Sequence, residues 1–433
     1  MEQPVTPPAS DNAAQPQQFS STPRPARPLA RRRVRLVAGA AGLLVGALAL
    51  TACGGDAKAN DDNKNGKGTD ASAAKDASTL KITISAKNGS TNASINDVTV
   101  KAEGGKLSEV TMTEVQGGKA VPGTLAADGL SWKPTGKIER GTQYKIAASG
   151  KDDKGRAAVE NSQFSTVSAK DSFIANYTPD DGSTVGVGMP VSFDFNKAIT
   201  NKKDVLSHIT VTSSSGQQVV GHWFNSQRLD FRPEEYWKAG SKVTMKIDLD
   251  KVEGAKGVYG VQKKEVTFTI GRNQVSTVDV KTQEMTIQQD GKTVKTIPVS
   301  TGSAEHPTYN GQMVISEKFT QTRMNGDSVG FGGEYDIKDV PHAMRLSTSG
   351  TFMHGNYWGD PSIFGNDGTS HGCVGMKDVK GAAGDTPAKW MFDHSIIGDV
   401  VVVKGSPDKT IAPDNGLNGW NLPWAQWTAD SSS

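Results

Sequence analysis

The stretch Phe352-Met353-His354-Gly355 is followed, across Asn356 to Thr369, by Ser370-His371-Gly372-Cys373-Val374-Gly375-Met376. An isolated cysteine is usually a small, inert hydrophobe. This one follows Ser-His-Gly and has a second histidine upstream. A thiol nucleophile needs a base within hydrogen-bond reach and donors for the oxyanion of its tetrahedral intermediate. Gly372 and Gly375 permit a tight turn that presents both the sulfur and backbone N–H groups. The parts of a Cys–His acyl-transfer site thus lie within one short segment. Zinc is the competing use of His354, His371 and Cys373. Structural zinc sites want four ligands, often in close pairs, and no Cys-x-x-Cys is present.

Outward from the motif, the segment 274–404 reads as strands with long loops. Val278-Asp279-Val280 and Met285-Thr286-Ile287 lead to Asp290-Gly291, a hairpin signal, and Val294 to Val299 returns as the partner. Met313-Val314-Ile315 is a further strand. Only 386–395 looks helical, with Thr386 placed to cap and Pro387 at the first helical position. Peptidases of the papain or NlpC kind run Cys before His, the reverse of the order here. The pattern resembles the L,D-transpeptidase catalytic domain, the YkuD-like fold, over roughly 275–404. The resemblance implies peptidoglycan cross-linking. A tetrapeptide donor stem loses D-alanine, and a 3→3 bridge forms to an acceptor stem through a cysteine acyl-enzyme. It assigns Cys373 as nucleophile and His354 as general base oriented by the Gly355 carbonyl. His371 is the motif histidine beside the nucleophile, and the N–H groups of Gly372 and Cys373 are oxyanion donors. Tyr335, Ser370, Trp358 and Arg345 become substrate-side candidates, with Trp358 in a flap and Ser370 supporting the turn. His342 is grouped with Tyr335 and Arg345 as a cleft candidate. Otherwise His306, His342 and His394, which lack motif context, read as surface or loop residues. Gly375 departs from the family pattern, which has Asn there. No metal, nucleotide or organic cofactor is implied, and carbapenems are the implied inhibitors. Water or a protein amine as acceptor would make the same site an L,D-carboxypeptidase or a protein-attaching enzyme.

From Leu80 the chain shows short alternating runs separated by Gly, Asn and Asp, the texture of antiparallel sandwiches. A repeat is visible. Ser131-Trp132-Lys133-Pro134 precedes Gly141, and Asp230-Phe231-Arg232-Pro233 precedes Gly240, ninety-nine residues further on in each case. Residues 80–170 and 171–273 are therefore expected to be two tandem immunoglobulin-like sandwiches, giving a mainly β protein. This layout resembles actinobacterial lipoprotein L,D-transpeptidases. His208 and His222, isolated within the second sandwich, are read as structural or surface groups.

The N-terminal segment 1–53 reads as an address. Arg31-Arg32-Arg33-Val34-Arg35 precedes 17 uncharged residues, Leu36 to Ala52. That run is short against the ~20 residues of a membrane span and fits a signal peptide. Leu50-Thr51-Ala52-Cys53-Gly54 looks like a lipobox, with Cys53 the lipidated residue, and the arginine cluster weakly resembles a twin-arginine signal. Residues 54–79 then form a spacer without a core-forming composition. The expected location is the outer face of the cell membrane, lipid-anchored and facing the wall. A lipid-anchored structural protein with no chemistry is the reading from a different class. Net charge is +2, and the excess sits in the leader, so nucleic acid is not an expected partner. The tail 405–433 holds Trp420, Trp424 and Trp427 and is expected to be an aromatic latch docking onto the catalytic domain or the second sandwich. Pro423 argues against one helix through all three.

Overall fold

The computed structural model describes residues 77–429. The leader, Cys53 and all but the last three residues of the spacer lie outside them.

The first sandwich faces a sheet of Lys81–Ile84, Val100–Glu103, Ser131–Pro134 and Gly123–Leu125 against one of Gly105–Glu114, Gln143–Asp152 and Ala157–Ser165. Alternation does the sorting: along Gln143–Asp152 every second residue is buried. Trp132, Tyr144, Ile146 and Phe164 form its core. The second sandwich, Ser172 to Ile270, pairs two four-stranded sheets and a small three-stranded one around Phe193, Leu229, Phe231, Trp237 and Phe268. Trp132 and Phe231 are core anchors in their respective copies, and Gly141 and Gly240 adopt φ of 64° and 74°, a region only glycine enters freely.

The catalytic segment is one nine-stranded sheet. Its strands are β1 (Gln274–Asp279), β2 (Glu284–Gln289), β3 (Lys292–Ser300), β4 (Gly311–Val314), β5 (Glu317–Asn325), β6 (Asp336–Arg345), β7 (Phe352–Asn356), β8 (Val374–Lys377) and β9 (Val400–Lys404). Their spatial order is β4-β9-β1-β2-β3-β8-β7-β6-β5. The β2–β3 hairpin turns on Asp290 and Gly291, both at positive φ, as its sequence requires. Helix α1 (Pro387–Asp393) packs on the sheet; the Thr386 hydroxyl accepts from the Lys389 N–H at 3.1 Å. Two short helices, Lys202–Ser207 and α2 (Trp424–Ala429), were not evident in the sequence. Six residues show too little periodicity to announce a helix.

The second sandwich is joined to the catalytic sheet by backbone. Gly186 donates to Ile397 O at 2.8 Å and Gly188 to Gly398 O at 2.9 Å. A Cβ on Gly186 would stand 2.2 Å from Asp399 N, so the two chains meet only because the side chain is absent. Val400 of β9 belongs to the sandwich core. The tail completes the joint. The Trp420 indole donates to Gly188 O and that of Trp427 to Val220 O, while the guanidinium of buried Arg232 lies over all three tail tryptophans. On the catalytic side, Gln312 N donates to Asn421 Oδ1 and Val314 N to Asn418 Oδ1, so the tail grips both bodies, with Pro423 immediately before α2.

Candidate active site

β7 and β8 are parallel neighbours, in a register that sets Met353 beside Val374 and His354 beside Gly375. Residues distant along the chain thereby become adjacent, and Cys373 comes to rest at the entry to β8. Every residue of β7 is buried. His354 turns Nδ1 to the Gly355 carbonyl at 2.9 Å. A carbonyl only accepts, so Nδ1 carries the proton and Nε2 keeps a lone pair. The Cys373 thiol points its proton to Gly350 O, 3.6 Å away. No hydrogen bond joins it to His354 in this state; such contacts commonly tighten only with substrate. Both residues line a cavity of about 170 Å³ with Tyr335, Trp358, Ser370, His371, Asn356 and Gly375. Trp358 lies flat against the His354 ring, 5.6 Å between centroids, and is 42% exposed.

Desolvation dominates the electrostatics. Burial pushes the Cys373 thiol up to about 11, opposed by the Phe352 N–H directed at it. An exposed, low-pKa thiolate, as the glycine-rich turn suggests, is therefore not what the fold provides: Cys373 is only 8% exposed. Burial lowers His354, against opposing contributions from the Gly355 carbonyl and Asp378. The resting pair is thus neutral thiol and neutral imidazole. Burial, with the negative charge available to Cys373 and Glu334, raises Tyr335 to about 12, so it is a phenol that can donate.

Several expectations need correction. Gly372 is not a free oxyanion donor, because its N–H is engaged with Ser370 Oγ at 3.2 Å, while Ser370 donates to Cys373 O at 2.7 Å. Ser370 thus braces the turn, and no hydrogen bond among the described residues engages the Cys373 N–H. Arg345 is absent from the cavity wall; it pairs with Glu317 and lies over the Phe352 ring. His342 is neither surface nor cleft. It is buried on β6 at φ 47°, and its Nδ1 meets Asp378 Oδ2 at 2.7 Å.

Asp378 was missed entirely. A Cβ on Gly355 would stand 1.9 Å from its Oδ2, so this carboxylate, also held by Thr386 and the Val379 N–H, presses directly on the residue that orients His354. His306 lies in a loop, as its lack of motif context implied, and there it stacks on His371 at 4.7 Å. Glu334 was not considered; its Oε2 meets His371 Nε2 at 2.8 Å. Each partner lies on a different loop, so no local spacing could reveal it. Gly375 leaves room: a Cβ there would meet Ser300 O at 3.4 Å and Asn356 at 3.7 Å, both ordinary contacts. An amide does stand at this spot, on Asn356 of the neighbouring strand.

Residues 273–403 match the family model of the L,D-transpeptidase catalytic domain, and residues 90–253 that of a bacterial Ig domain. L,D-transpeptidase 2 of Mycobacterium tuberculosis is 30% identical over 81% of this chain and 85% of its own length. L,D-transpeptidase 5 of the same organism is 26% identical over 78% and 74%. A solved structure of L,D-transpeptidase 3 from that organism, in complex with a faropenem-derived adduct, matches 53% of this chain and 97% of its own at 24% identity and a TM-score of 0.42.

Proposed function

The chain belongs to the L,D-transpeptidase family, and on that premise we propose that it forms 3→3 peptidoglycan cross-links through a thioester on Cys373. The observation that supports this best is the buried His354, its tautomer set by Gly355 O, sharing one cavity with the thiol. Cys373 Sγ attacks the carbonyl that joins the third stem residue to the terminal D-alanine. His354 Nε2 accepts the thiol proton as the S–C bond forms. The Cys373 N–H faces the developing oxyanion. Collapse breaks the C–N bond, and the imidazolium returns its proton to the departing D-alanine amine. The acceptor's side-chain amine then attacks the thioester and His354 takes the amine proton; the C–S bond breaks, and the imidazolium returns that proton to Sγ, regenerating the thiol. A positioned base contributes about 10²–10⁴-fold and an oxyanion donor about 10²–10³-fold. Both reactive groups rest neutral, so the thiolate arises only as attack proceeds. The acid limb of the rate then follows His354 protonation and falls below the ordinary imidazole range, because burial lowers that group.

Tyr335 and Trp358 are assigned to the substrate walls, and the Asn356 amide to the place the family gives an Asn two residues after its cysteine. His371 is assigned to shaping the mouth. The lipobox-like sequence supports lipid attachment at Cys53 on the outer face of the membrane. Exposure to a carbapenem, whose strained amide mimics the donor, checks the chemistry by intact mass. Wild type is expected to gain one adduct, Cys373→Ser none, and His354→Ala to acylate at least ~10²-fold more slowly. An adduct on Cys373→Ser would overturn the assignment of the nucleophile.

A further inference from the structure

The mouth of the cavity carries a second constellation that the transfer chemistry does not use. His306, Glu334 and His371 come from three separate loops. Their ligand atoms lie within 4.8 Å of one another. Both imidazoles aim Nε2 at one oxygen, Glu334 Oε2, at 2.8 Å from His371 and 3.5 Å from His306. The two rings are stacked within 18° of parallel, and Phe331 stands edge-on to both. The histidines are held in place by backbone, since Ser370 N donates to Thr301 O at 3.0 Å and Ser303 N to Ser370 O at 2.9 Å, zipping their loops together. Glu334 sits on the turn after β5, where its N–H donates to Phe331 O at 3.0 Å.

Two convergent imidazoles and one carboxylate suit a borderline divalent ion. Calcium and magnesium prefer all-oxygen sets, and structural zinc sites are usually closed by four protein ligands. Three ligands with an open fourth position is the arrangement of an exchangeable zinc-type site. We propose that His306, Glu334 and His371 bind a zinc-type divalent ion at the mouth of the catalytic cavity, and that the bound ion slows acylation by clamping the 326–335 loop onto the motif loop. The clamp acts there because Tyr335, next to Glu334, and His371, two residues before the nucleophile, both line the cavity. This set differs from the His354, His371 and Cys373 combination weighed from sequence, and it leaves the nucleophile out.

Cobalt(II), a spectroscopic stand-in for zinc, provides the test on the metal-free full chain. One equivalent is expected to give visible ligand-field bands without a sulfur-to-cobalt charge-transfer band. The bands are expected to persist in Cys373→Ser, which separates this inference from the acyl-transfer reading. Affinity is expected to fall more than ~100-fold in His306→Ala and in Glu334→Gln. The second variant keeps the side-chain size, so a loosened ring stack cannot account for its loss. Zinc is expected to slow carbapenem acylation of wild type at least ~10-fold, a barrier increase of about 1.4 kcal/mol, and to leave His306→Ala acylation unchanged. Absence of the bands, a thiolate band that vanishes in Cys373→Ser, or equal zinc sensitivity in His306→Ala would each overturn the proposal.

Discussion

Lys133 and Arg232 occupy the same place in the two sandwiches, each directly after the aromatic core anchor and before a proline. Lys133 is exposed, whereas Arg232 is buried beneath Trp420, Trp424 and Trp427. Burial lowers Arg232 to about 10; its Nη groups donate to the carbonyls of Pro233, Glu234 and Leu422, while its buried Nε has no hydrogen-bond partner among the described residues. The first copy kept a solvated edge. The second turned that edge into the seat of the catalytic domain's tail. Arg228 reinforces the seat through Asp414 O and Gly416 O, and Tyr236 through Gln312. The first sandwich meets the second through sparse polar contacts. Asp250 accepts from Ser94 Oγ at 2.5 Å and from Asn96 Nδ2 at 3.0 Å, and Arg140 donates to Ser172 Oγ at 3.1 Å. Similar architecture therefore gives one unit that completes the enzyme and one that extends it.

Truncation is expected to separate the two units most sharply. Fragment 274–433 loses the core into which Val400 inserts and strands the tail tryptophans, so it is expected not to melt cooperatively. Fragment 171–433 is expected to melt cooperatively and to acylate at the full-length rate. Circular dichroism and intact mass read both, and chemistry that appears only with residues 80–170 present would reverse the roles. The paired substitutions come next. Arg232→Ala removes a buried cation from three aromatic faces and is expected to destabilise by about 3–5 kcal/mol, the scale of a large buried truncation. Lys133→Ala is expected to stay within ~0.5 kcal/mol, as exposed surface changes do. Equal effects in urea melts would erase the distinction. The smallest effect is expected from Asp250→Ala, which removes the main polar link between the sandwiches. Stability is expected to change by less than about 1 kcal/mol, while small-angle scattering shows a wider spread of inter-sandwich orientations. An unchanged scattering profile would mean that the linker alone sets the angle.

The first four strands of the catalytic sheet, the Asp290-Gly291 turn, the Thr386-Pro387 helix start and the Cys373 and His354 pair could all be read along the chain. Each rests on local preference or on residue chemistry at short spacing, which neighbours far away do not alter. The Trp-rich latch was readable as a latch, but not its cation, because Lys133 and Arg232 are interchangeable until one is covered. The charge state of the site followed the same rule. A cysteine in a glycine-rich turn suggests an exposed thiolate, yet burial holds it neutral. Desolvation depends on everything packed around a group, and most of that comes from other strands. Asp378 against Gly355, His342 against Asp378, and the meeting of His306, Glu334 and His371 arise from the sheet order and from loops that close over it. Chain order carries the reacting groups; their protonation, their orientation and the cluster at the cavity mouth exist only once distant loops are brought within a few ångströms and water is excluded.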